Sequence, residues 1–200
     1  MNELELYREE SSRCDERLPN ARTKGELFGY NIFLIGFMGV GKTTVSGYMG
    51  TLFAMHVVEM DQVIAEREKM SIPDIFATYG EGYFRDLETK LLAEMRSERN
   101  TVISCGGGVV LRDRNVKEMR KNGKVVLLTA SPQEIYARVK DSNDRPLLEG
   151  RKNVKAISEL MEQRREKYEA AADIVIKTDQ KTVLEVCEEL VRRLMEMDED

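Results

Sequence analysis

The chain has 200 residues, of which 42% are hydrophobic, and its formal net charge is −5. This length suits one ordinary domain, and the apolar content is sufficient for a buried core. The longest apolar run, residues 32–40, contains two glycines and is much shorter than the roughly 20 residues of a membrane helix. The acidic N-terminus lacks the hydrophobic region of a secretory signal, and a net negative charge gives no general attraction to nucleic acid or anionic membranes. We therefore expect a cytoplasmic protein whose partners include neither nucleic acid nor a membrane.

The histidine and cysteine content excludes several reaction classes. His56 is the single histidine, so HExxH and C2H2 zinc sites cannot form, and no nucleophile-elbow motif accompanies it for a Ser-His-Asp triad. The three cysteines, Cys14, Cys105 and Cys187, are odd in number, widely spaced and without a CxxC pair. This pattern favours reduced thiols over a disulfide framework.

Strand-like and helix-like segments alternate along most of the chain. Residues 1–26 are a charged N-terminal extension that predicts a marginal helix or a tail, and residues 27–200 are predicted to form a single domain, with a polar loop or lid at about 141–153. Five strands separated by helices predict an α/β fold, with three α/β/α layers around a five-stranded parallel sheet. The strands are predicted at 31–35, 56–60, 101–105, 124–129 and 173–177, and the helices at 42–54, 61–79, 81–98, 113–121, 132–140, 153–171 and 181–197.

Residues 36–43, Gly-Phe-Met-Gly-Val-Gly-Lys-Thr, match the phosphate-binding pattern GxxxxGK[ST]. Its glycines let the backbone curve so that N–H groups face phosphate oxygens, and the helix that follows adds its positive end. Lys42 can reach the β- and γ-phosphates, and the Thr43 hydroxyl can bind Mg²⁺. The motif follows a predicted strand and begins a predicted helix, which is the context it requires. The sequence thus predicts a nucleoside triphosphate site with one Mg²⁺ ion.

Four further features concern the group that receives the phosphate. Asp61 follows the second strand, where ligands bind in parallel sheets, although a helix N-cap is an equally good interpretation. Arg85 and Glu88 are three residues apart and share a helix face, and their spacing alone favours a surface ion pair without function. Gly106–Gly108 ends the third strand and either permits close approach of a ligand or forms a flexible tight turn. Arg145 precedes a proline in the polar segment, where a solvated helix face does not explain it.

Six segments of the chain carry a resemblance to one family: IGFMGVGKTT (35–44), MDQVIAE (60–66), SIPDIFATYGEGYFRDLE (71–88), SCGGGVV (104–110), RPLL (145–148) and RREKY (164–168). They resemble shikimate kinase, a small P-loop kinase of the nucleoside-monophosphate-kinase type. The resemblance implies a P-loop NTP hydrolase fold with a mobile lid. It also implies transfer of the γ-phosphate of ATP to the 3-hydroxyl of shikimate, in aromatic amino acid biosynthesis. We expect the chain to be a monomer.

The resemblance implies a substrate-binding region at about 61–98 and roles for residues on the acceptor side. Asp61 matches the aspartate that binds the shikimate hydroxyls, and Arg85 and Arg164 match the arginines that grip the carboxylate. Glu88 matches the glutamate that orients Arg85. Two phenylalanines match aromatic positions of the pocket, and three glycines match positions that offer backbone contacts. The residues expected to bind the substrate are Asp61, Phe76, Phe84, Arg85, Glu88, Gly106, Gly107, Gly108 and Arg164.

The resemblance also implies roles on the nucleotide side. Arg145 matches the lid arginine that closes over the phosphates, Arg138 matches an arginine near the adenine, and residues 178–182 match the adenine-binding loop. Lys42, Asp61 and Arg145 are expected to take part in catalysis. The residues expected to bind ATP are Gly36, Gly39, Val40, Gly41, Lys42, Thr43, Thr44, Arg138, Arg145, Thr178, Asp179 and Gln180.

One position departs from the family pattern. The family usually has Asp-x-Asp after the second strand, whereas this chain has Glu59-Met60-Asp61. The first aspartate of the pattern contacts Mg²⁺ through water, and a glutamate side chain is one methylene longer. We hypothesise that Glu59 keeps this water-mediated role beside Thr43, with an altered metal affinity.

Two other functions stay open from the sequence alone. A related small-molecule kinase, such as a gluconate kinase, would share the P-loop and the lid but lack the carboxylate clamp. A degenerate P-loop module would bind ATP and act through a partner, without turnover and without dependence on an acceptor. Release of ADP that depends on shikimate would distinguish the kinase of shikimate from both.

Overall fold

The computed structural model describes residues 27–140 and 153–199. The predicted N-terminal extension and nearly all of the predicted lid, including Arg145, lie outside these residues. In the part of the chain that is described, no helix is both long and apolar enough to cross a membrane.

A sheet of five strands forms the centre of the molecule. Its strands are β1 (Asn31–Ile35), β2 (His56–Glu59), β3 (Thr101–Ser104), β4 (Gly123–Thr129) and β5 (Ile174–Lys177). They lie in the order β2-β3-β1-β4-β5, and every neighbouring pair is parallel. The predicted α/β fold with a five-stranded parallel sheet is confirmed.

Helices cover both faces of the sheet, because the strands bury side chains on both sides. In β1, Ile32 and Leu34 belong to one apolar cluster, and Phe33 and Ile35 belong to another. A strand buried on both faces carries a continuous apolar run, which is the pattern that predicted it. The helices are α1 (Lys42–Phe53), α2 (Met60–Glu68), α3 (Ile72–Glu94), α4 (Asp113–Met119), α5 (Pro132–Val139), α6 (Val154–Ala171) and α7 (Val183–Glu199), with 3₁₀ turns at Met95–Ser97 and Val109–Leu111. Residues of α1, α5 and α7 join the first cluster, and residues of α2, α3 and α4 join the second.

The largest correction to the predicted elements concerns the helix expected at 61–79, which is two helices. Lys69 ends α2 with a left-handed φ of 54°. The Ser71 hydroxyl then caps α3 by accepting a hydrogen bond from the N–H of Asp74. Pro73 suits this first turn because its missing N–H has no partner within a helix there. Local capping chemistry therefore divides a stretch that has helical character throughout.

Smaller corrections concern the ends of elements. Met60 is the first residue of α2 rather than the last of β2, and Cys105 and Asp173 lie outside β3 and β5. The helix expected from residue 181 begins at Val183. The expected break near residue 80 is present inside α3, where Gly80 has a φ of 81°. These differences leave the order of elements as predicted.

The carboxyl ends of β1, β2 and β3 bring three loops to one edge of the sheet. Leu34 of β1 pairs with Ser104 of β3, and Glu59 of β2 pairs with the same serine from the other side. The phosphate loop after β1, Asp61 after β2 and Gly106–Gly108 after β3 are therefore adjacent. Ligands of open parallel sheets bind at this edge.

Candidate active site

The phosphate loop joins β1 to α1 in a conformation that requires glycine. Gly36, Gly39 and Gly41 have φ values of 141°, 81° and 98°, which residues with a Cβ rarely adopt. A Cβ on Gly36 would also lie 2.3 Å from the carbonyl oxygen of Leu128. The Nζ of Lys42 donates a hydrogen bond to the Gly36 carbonyl at 2.9 Å, which holds the ammonium group against the loop. The loop and the N-terminus of α1 together form an anion-binding arrangement.

The Glu59 carboxylate, at the end of β2, binds two hydroxyl groups of α1. Thr43 Oγ1 donates a hydrogen bond to Glu59 Oε2 at 2.9 Å, and Ser46 Oγ donates to Glu59 Oε1. Ser46 is completely buried. It was not predicted from the sequence, although its place three residues after Thr43 puts both hydroxyls on one helix face. Because Thr43 gives its hydrogen to Glu59, its oxygen lone pairs can still accept a cation.

The predicted adenine-side residues meet behind the phosphate loop. Nη1 of Arg138 donates to the Thr178 hydroxyl at 3.2 Å and to the Val40 carbonyl at 3.4 Å. Asp179 Oδ1 accepts a hydrogen bond from the N–H of Ser131 at 2.8 Å. This hydrogen bond holds the pKa of the Asp179 carboxyl below its usual range. Asp179 therefore ties the loop after β5 to the start of α5.

A cavity of about 580 Å³ lies beside the phosphate loop. Its cationic groups and backbone N–H donors suit a chain of phosphates. The predicted ATP residues Gly36, Val40, Thr178, Asp179 and Gln180 do not line it. The residues that do are Met38, Gly39, Gly41, Lys42, Thr43, Thr44, Glu59, Asp61, Gln62, Ser104, Cys105, Gly107 and Arg138.

A second cavity, of about 540 Å³, adjoins the first. Four residues line both cavities and so mark their boundary: Met38, Asp61, Gln62 and Gly107. Met38 and Gln62 were not predicted, although Met38 lies within the phosphate motif and Gln62 directly follows Asp61. The second cavity is lined by Met38, Asp61, Gln62, Ala65, Ser71, Ile72, Pro73, Phe76, Phe84, Arg85 and Gly106–Gly108.

The aromatic rings of Phe76 and Phe84 form part of the wall of the second cavity. Their ring centroids lie 5.0 Å apart. The Cζ atom of Arg85 lies 5.3 Å from the centroid of the Phe84 ring. The guanidinium group thus has an aromatic ring beside it, an arrangement that stabilises a cation. This part of the wall combines an apolar surface with the positive charge of Arg85.

Asp61 stands at the boundary between the two cavities, in the first turn of α2. The N-cap of α2 is Glu59, so the interpretation of Asp61 as a helix N-cap is wrong. The Oδ1 atom of Asp61 is buried. It lies so close to the loop after β3 that a Cβ on Gly106 would be 2.8 Å from it. One carboxylate group is therefore shared between the two cavities.

Arg85 and Glu88 form a buried ion pair within α3. Nη1 of Arg85 donates to Glu88 Oε2 at 2.7 Å, and its Nη2 donates to Glu81 Oε1 at 2.8 Å. Arg85 is 6% exposed and Glu88 is 0% exposed, so the interpretation as a surface pair is wrong. Burial raises the pKa of Glu88 to about 7, although Arg85 opposes the rise. Arg85 lines the second cavity, whereas Glu88 lies behind it and does not.

The loop after β3 lets these charged groups approach the backbone. A Cβ on Gly108 would lie 2.2 Å from Nη2 of Arg85, and one on Gly106 would lie 2.6 Å from Oε1 of Glu88. A Cβ on Gly107 would lie 3.6 Å from the backbone nitrogen of Met38 in the phosphate loop, which is an ordinary contact distance. Close packing of the chain's own side chains, rather than freedom to turn, therefore requires glycine at positions 106 and 108.

Arg164 reaches the same loop from α6. Its Nη1 donates to the Gly107 carbonyl at 3.3 Å, and the hydroxyl of Tyr168 donates to the same oxygen. Arg164 is 8% exposed and does not line the second cavity. Because Arg85 packs on Gly108, the two arginines of the predicted carboxylate clamp lie at neighbouring residues of one loop. Tyr168 was not predicted as a site residue, although its place four residues after Arg164 puts both on one helix face.

Comparison with known proteins connects this geometry to a family. The model of the family described as Shikimate kinase matches residues 38–195. The chain belongs to the shikimate kinase family. A shikimate kinase from Caldanaerobacter subterraneus subsp. tengcongensis is 40% identical over 167 residues, which are 84% of this chain and 97% of that protein. Membership of this family identifies the chain as an ATP-dependent kinase, as its phosphate loop predicts, and argues against a module that only binds ATP.

Solved structures agree with the family and with the predicted fold. A shikimate kinase from Acinetobacter baumannii, solved in complex with shikimate, has a TM-score of 0.75 and 29% identity, covering 84% of this chain and 92% of its own. A gluconokinase from Sinorhizobium meliloti has a TM-score of 0.56 and 15% identity, covering 86% of this chain and 95% of its own. The gluconokinase shares the fold alone. The nucleoside-monophosphate-kinase-like fold predicted for a shikimate kinase is confirmed.

Proposed function

We propose that the chain transfers the γ-phosphate of ATP to the 3-hydroxyl of shikimate, giving shikimate 3-phosphate and ADP for aromatic amino acid biosynthesis. The observation that carries this function is the meeting of two cavities at Asp61 and Gly107, one beside the phosphate loop and one with an aromatic wall and a buried arginine. Phosphoryl transfer depends mainly on aligning donor and acceptor across such a boundary. Membership of the shikimate kinase family supports shikimate as the acceptor.

On the nucleotide side, the chain provides donors that are already in place. The N–H groups of the phosphate loop hold the phosphates, and Lys42 neutralises charge on the group in transfer. We assign the adenine end of the nucleotide to Arg138, which lines the cavity beside the phosphate loop, and to the loop at 178–180, where Arg138 donates to the Thr178 hydroxyl. Arg145, which lies outside the described residues, is proposed to close over the phosphates and exclude water.

The oxygen atoms of Thr43 and Glu59 fit a Mg²⁺ ion. Mg²⁺ prefers oxygen ligands and keeps several of its waters, so one hydroxyl and one water-mediated carboxylate suit it. Within the described ranges, no group of three or more His, Cys, Asp or Glu side chains is arranged to hold a metal. When bound, the ion would neutralise charge on the β- and γ-phosphates. We assign direct contact to Thr43 and contact through water to Glu59.

On the acceptor side, Arg85 and Arg164 are proposed to hold the shikimate carboxylate, since a planar guanidinium binds a carboxylate through two parallel hydrogen bonds. Asp61 accepts a hydrogen bond from the acceptor hydroxyl and so directs its oxygen towards the γ-phosphate. Phe76 and Phe84 contact the ring. A loose transition state needs this orientation more than early removal of the hydroxyl proton.

The test is release of ADP by the purified full chain with ATP and Mg²⁺. We expect turnover with shikimate, none above background with gluconate, and a product of the mass of shikimate 3-phosphate. Lys42→Met is the control and should abolish turnover. Turnover with gluconate, or ATP binding without any turnover, would contradict the proposed function. Light scattering of the same sample tests the predicted monomer.

A further inference from the structure

We infer that Tyr168 is a positioning residue of the acceptor site, whose hydroxyl fixes the Gly107 carbonyl and, through it, the guanidinium of Arg164. This role rests on the proposed function, because it concerns the same site. Tyr168 lines neither the cavity beside the phosphate loop nor the cavity with the aromatic wall. Its effect on a substrate is therefore exerted through the groups that it holds.

Two side chains of α6 share one acceptor on the loop after β3. Tyr168 and Arg164 are four residues apart and so lie on the same face of the helix. The hydroxyl of Tyr168 and the Nη1 of Arg164 both donate to the Gly107 carbonyl oxygen. A glycine has an unusually wide choice of backbone conformations. Two donors from one helix restrict that choice at residue 107.

The peptide that they hold is central to the site. Gly107 lines both cavities. Its neighbour Gly106 packs against the carboxylates of Asp61 and Glu88, and its other neighbour, Gly108, packs against Arg85. A rotation of the Gly107 peptide would therefore move the Arg164 donor and disturb the surface against which the other clamp arginine packs.

The surroundings of Tyr168 allow its hydroxyl to be removed with little other change. The residue is 5% exposed and its ring belongs to the second apolar cluster of the core. Burial raises the pKa of Tyr168 to about 12, although Arg164 opposes the rise, so the hydroxyl keeps its donor hydrogen at neutral pH. Phenylalanine at this position would keep the ring packing and lose only what the hydroxyl contacts, the Gly107 carbonyl and the Arg164 side chain.

The experiment compares Tyr168→Phe with Tyr30→Phe in steady-state kinetics of the full chain. Tyr30 is a matched control, because its hydroxyl also has a hydrogen-bond partner, Asp198 at 2.8 Å. Tyr30 directly precedes β1, at the amino ends of the strands and so at the end of the sheet opposite to the site. For Tyr168→Phe we expect the KM for shikimate to rise about tenfold, with kcat and the KM for ATP changed less than about twofold. For Tyr30→Phe we expect no change in any of the three.

Two outcomes would overturn the role of Tyr168. An unchanged KM for shikimate, with or without a lower unfolding temperature, would leave the hydroxyl a purely structural group. An equal rise in the KM for ATP would show that it supports the whole loop rather than the acceptor side. Wild-type turnover with shikimate, measured beforehand, tests the proposed function separately.

A double-mutant cycle tests whether Tyr168 acts through Arg164. Calorimetric titration with shikimate gives dissociation constants for the wild type, Tyr168→Phe, Arg164→Ala and the double variant. We expect Tyr168→Phe to weaken binding about tenfold in the wild type and less than about threefold when Arg164 is absent, because groups in one hydrogen-bond network are not additive. Equal losses in both backgrounds would contradict coupling between the two side chains.

Discussion

The nucleotide side and the acceptor side of the site are held in place by different means. On the nucleotide side, one continuous loop takes its shape from glycines with positive φ, and Lys42 bonds back to the carbonyl at its start. On the acceptor side, α3, α6 and the loop after β3 pack around a buried ion pair, Arg85 with Glu88. The nucleotide side depends on local backbone conformation, whereas the acceptor side depends on charged groups that only the folded chain brings together. Single side-chain changes should therefore separate shikimate binding from ATP binding.

The largest difference between the effects on shikimate binding and on ATP binding is expected from Arg85→Ala. The substitution removes the guanidinium that, among the described residues, lines the acceptor cavity, and it leaves the Glu88 carboxylate buried without this cation. We expect shikimate binding to weaken by at least about 100-fold while ATP binding stays within about twofold, as measured by calorimetry. Arg96→Ala is a matched control, because Arg96 pairs with Glu118 at the surface. Shikimate binding as in the wild type would show that the clamp is assigned to the wrong residue.

A smaller difference between the effects on the two substrates is expected from Gly108→Ala. The added methyl would lie 2.2 Å from Nη2 of Arg85, and that guanidinium is held by Glu81 and Glu88 and cannot move away freely. We expect the KM for shikimate to rise about tenfold with little change in the KM for ATP. Gly82→Ala is the control, since a Cβ on Gly82 meets no atom within 4 Å. Equal kinetics for both variants would contradict the close approach of Arg85 to the loop.

A third prediction concerns the pH dependence of stability, which Glu88→Gln should alter. The pKa of Glu88 is about 7 in the folded chain against an ordinary value of 4.5, because the carboxyl is buried. The folded state therefore binds this proton more tightly than the unfolded state. The resulting stability is present below about pH 4.5 and is lost as the pH rises towards 7. Glutamine does not titrate.

The measurement is the unfolding temperature of both proteins across pH. We expect the wild type, compared with Glu88→Gln, to lose roughly 5 °C between pH 5 and pH 8. At pH 8, where the Glu88 carboxylate is mostly charged, the KM for shikimate of the variant should exceed that of the wild type about fivefold, because the hydrogen bond to Arg85 loses its charged acceptor. Parallel pH profiles would mean that Glu88 does not titrate in this range.

The same contrast decides how much of the site could be predicted from the sequence. The phosphate loop is contiguous, so one pattern located its glycines, Lys42 and Thr43 together. The five parallel strands and the two-sided core followed from apolar runs separated by helices, whereas the order of the strands in the sheet was not predicted. The spacing of Arg85 and Glu88 showed that they share a helix face, but it favoured an ion pair on the protein surface over a buried one. Their burial depends on the loop after β3, which approaches from far along the chain.

Several of the residues left unpredicted act through partners. Tyr168 lies in the segment RREKY (164–168), but neither it nor Ser46 was given a role there, and each becomes informative only once its partner is located. Glu81 could have been found, because a glutamate four residues before Arg85 is a known helical pairing. The division of the helix expected at 61–79 required recognition that Ser71 and Pro73 begin a new helix. Side chains that hold other groups in place are thus harder to predict than backbone motifs.

The smallest effect is expected on the nucleotide side, from Glu59→Asp. The Glu59 carboxylate spans the hydroxyls of Thr43 and Ser46, one on each oxygen. An aspartate is one methylene shorter and cannot keep both hydrogen bonds without movement of α1. We expect the Mg²⁺ and Mn²⁺ concentrations for half-maximal activity to change by about twofold to threefold, with the KM for shikimate unchanged.

The control for Glu59→Asp is Glu94→Asp, which shortens an exposed carboxylate that pairs with Arg67. Binding of Mn²⁺ with ADP, followed by electron paramagnetic resonance, reports the metal site without turnover. A metal titration unchanged from the wild type would contradict a role for Glu59 at the ion. A change in shikimate KM of the same size would show that β2 transmits the substitution to Asp61. In that case, the nucleotide side and the acceptor side would be less independent than their different structures suggest.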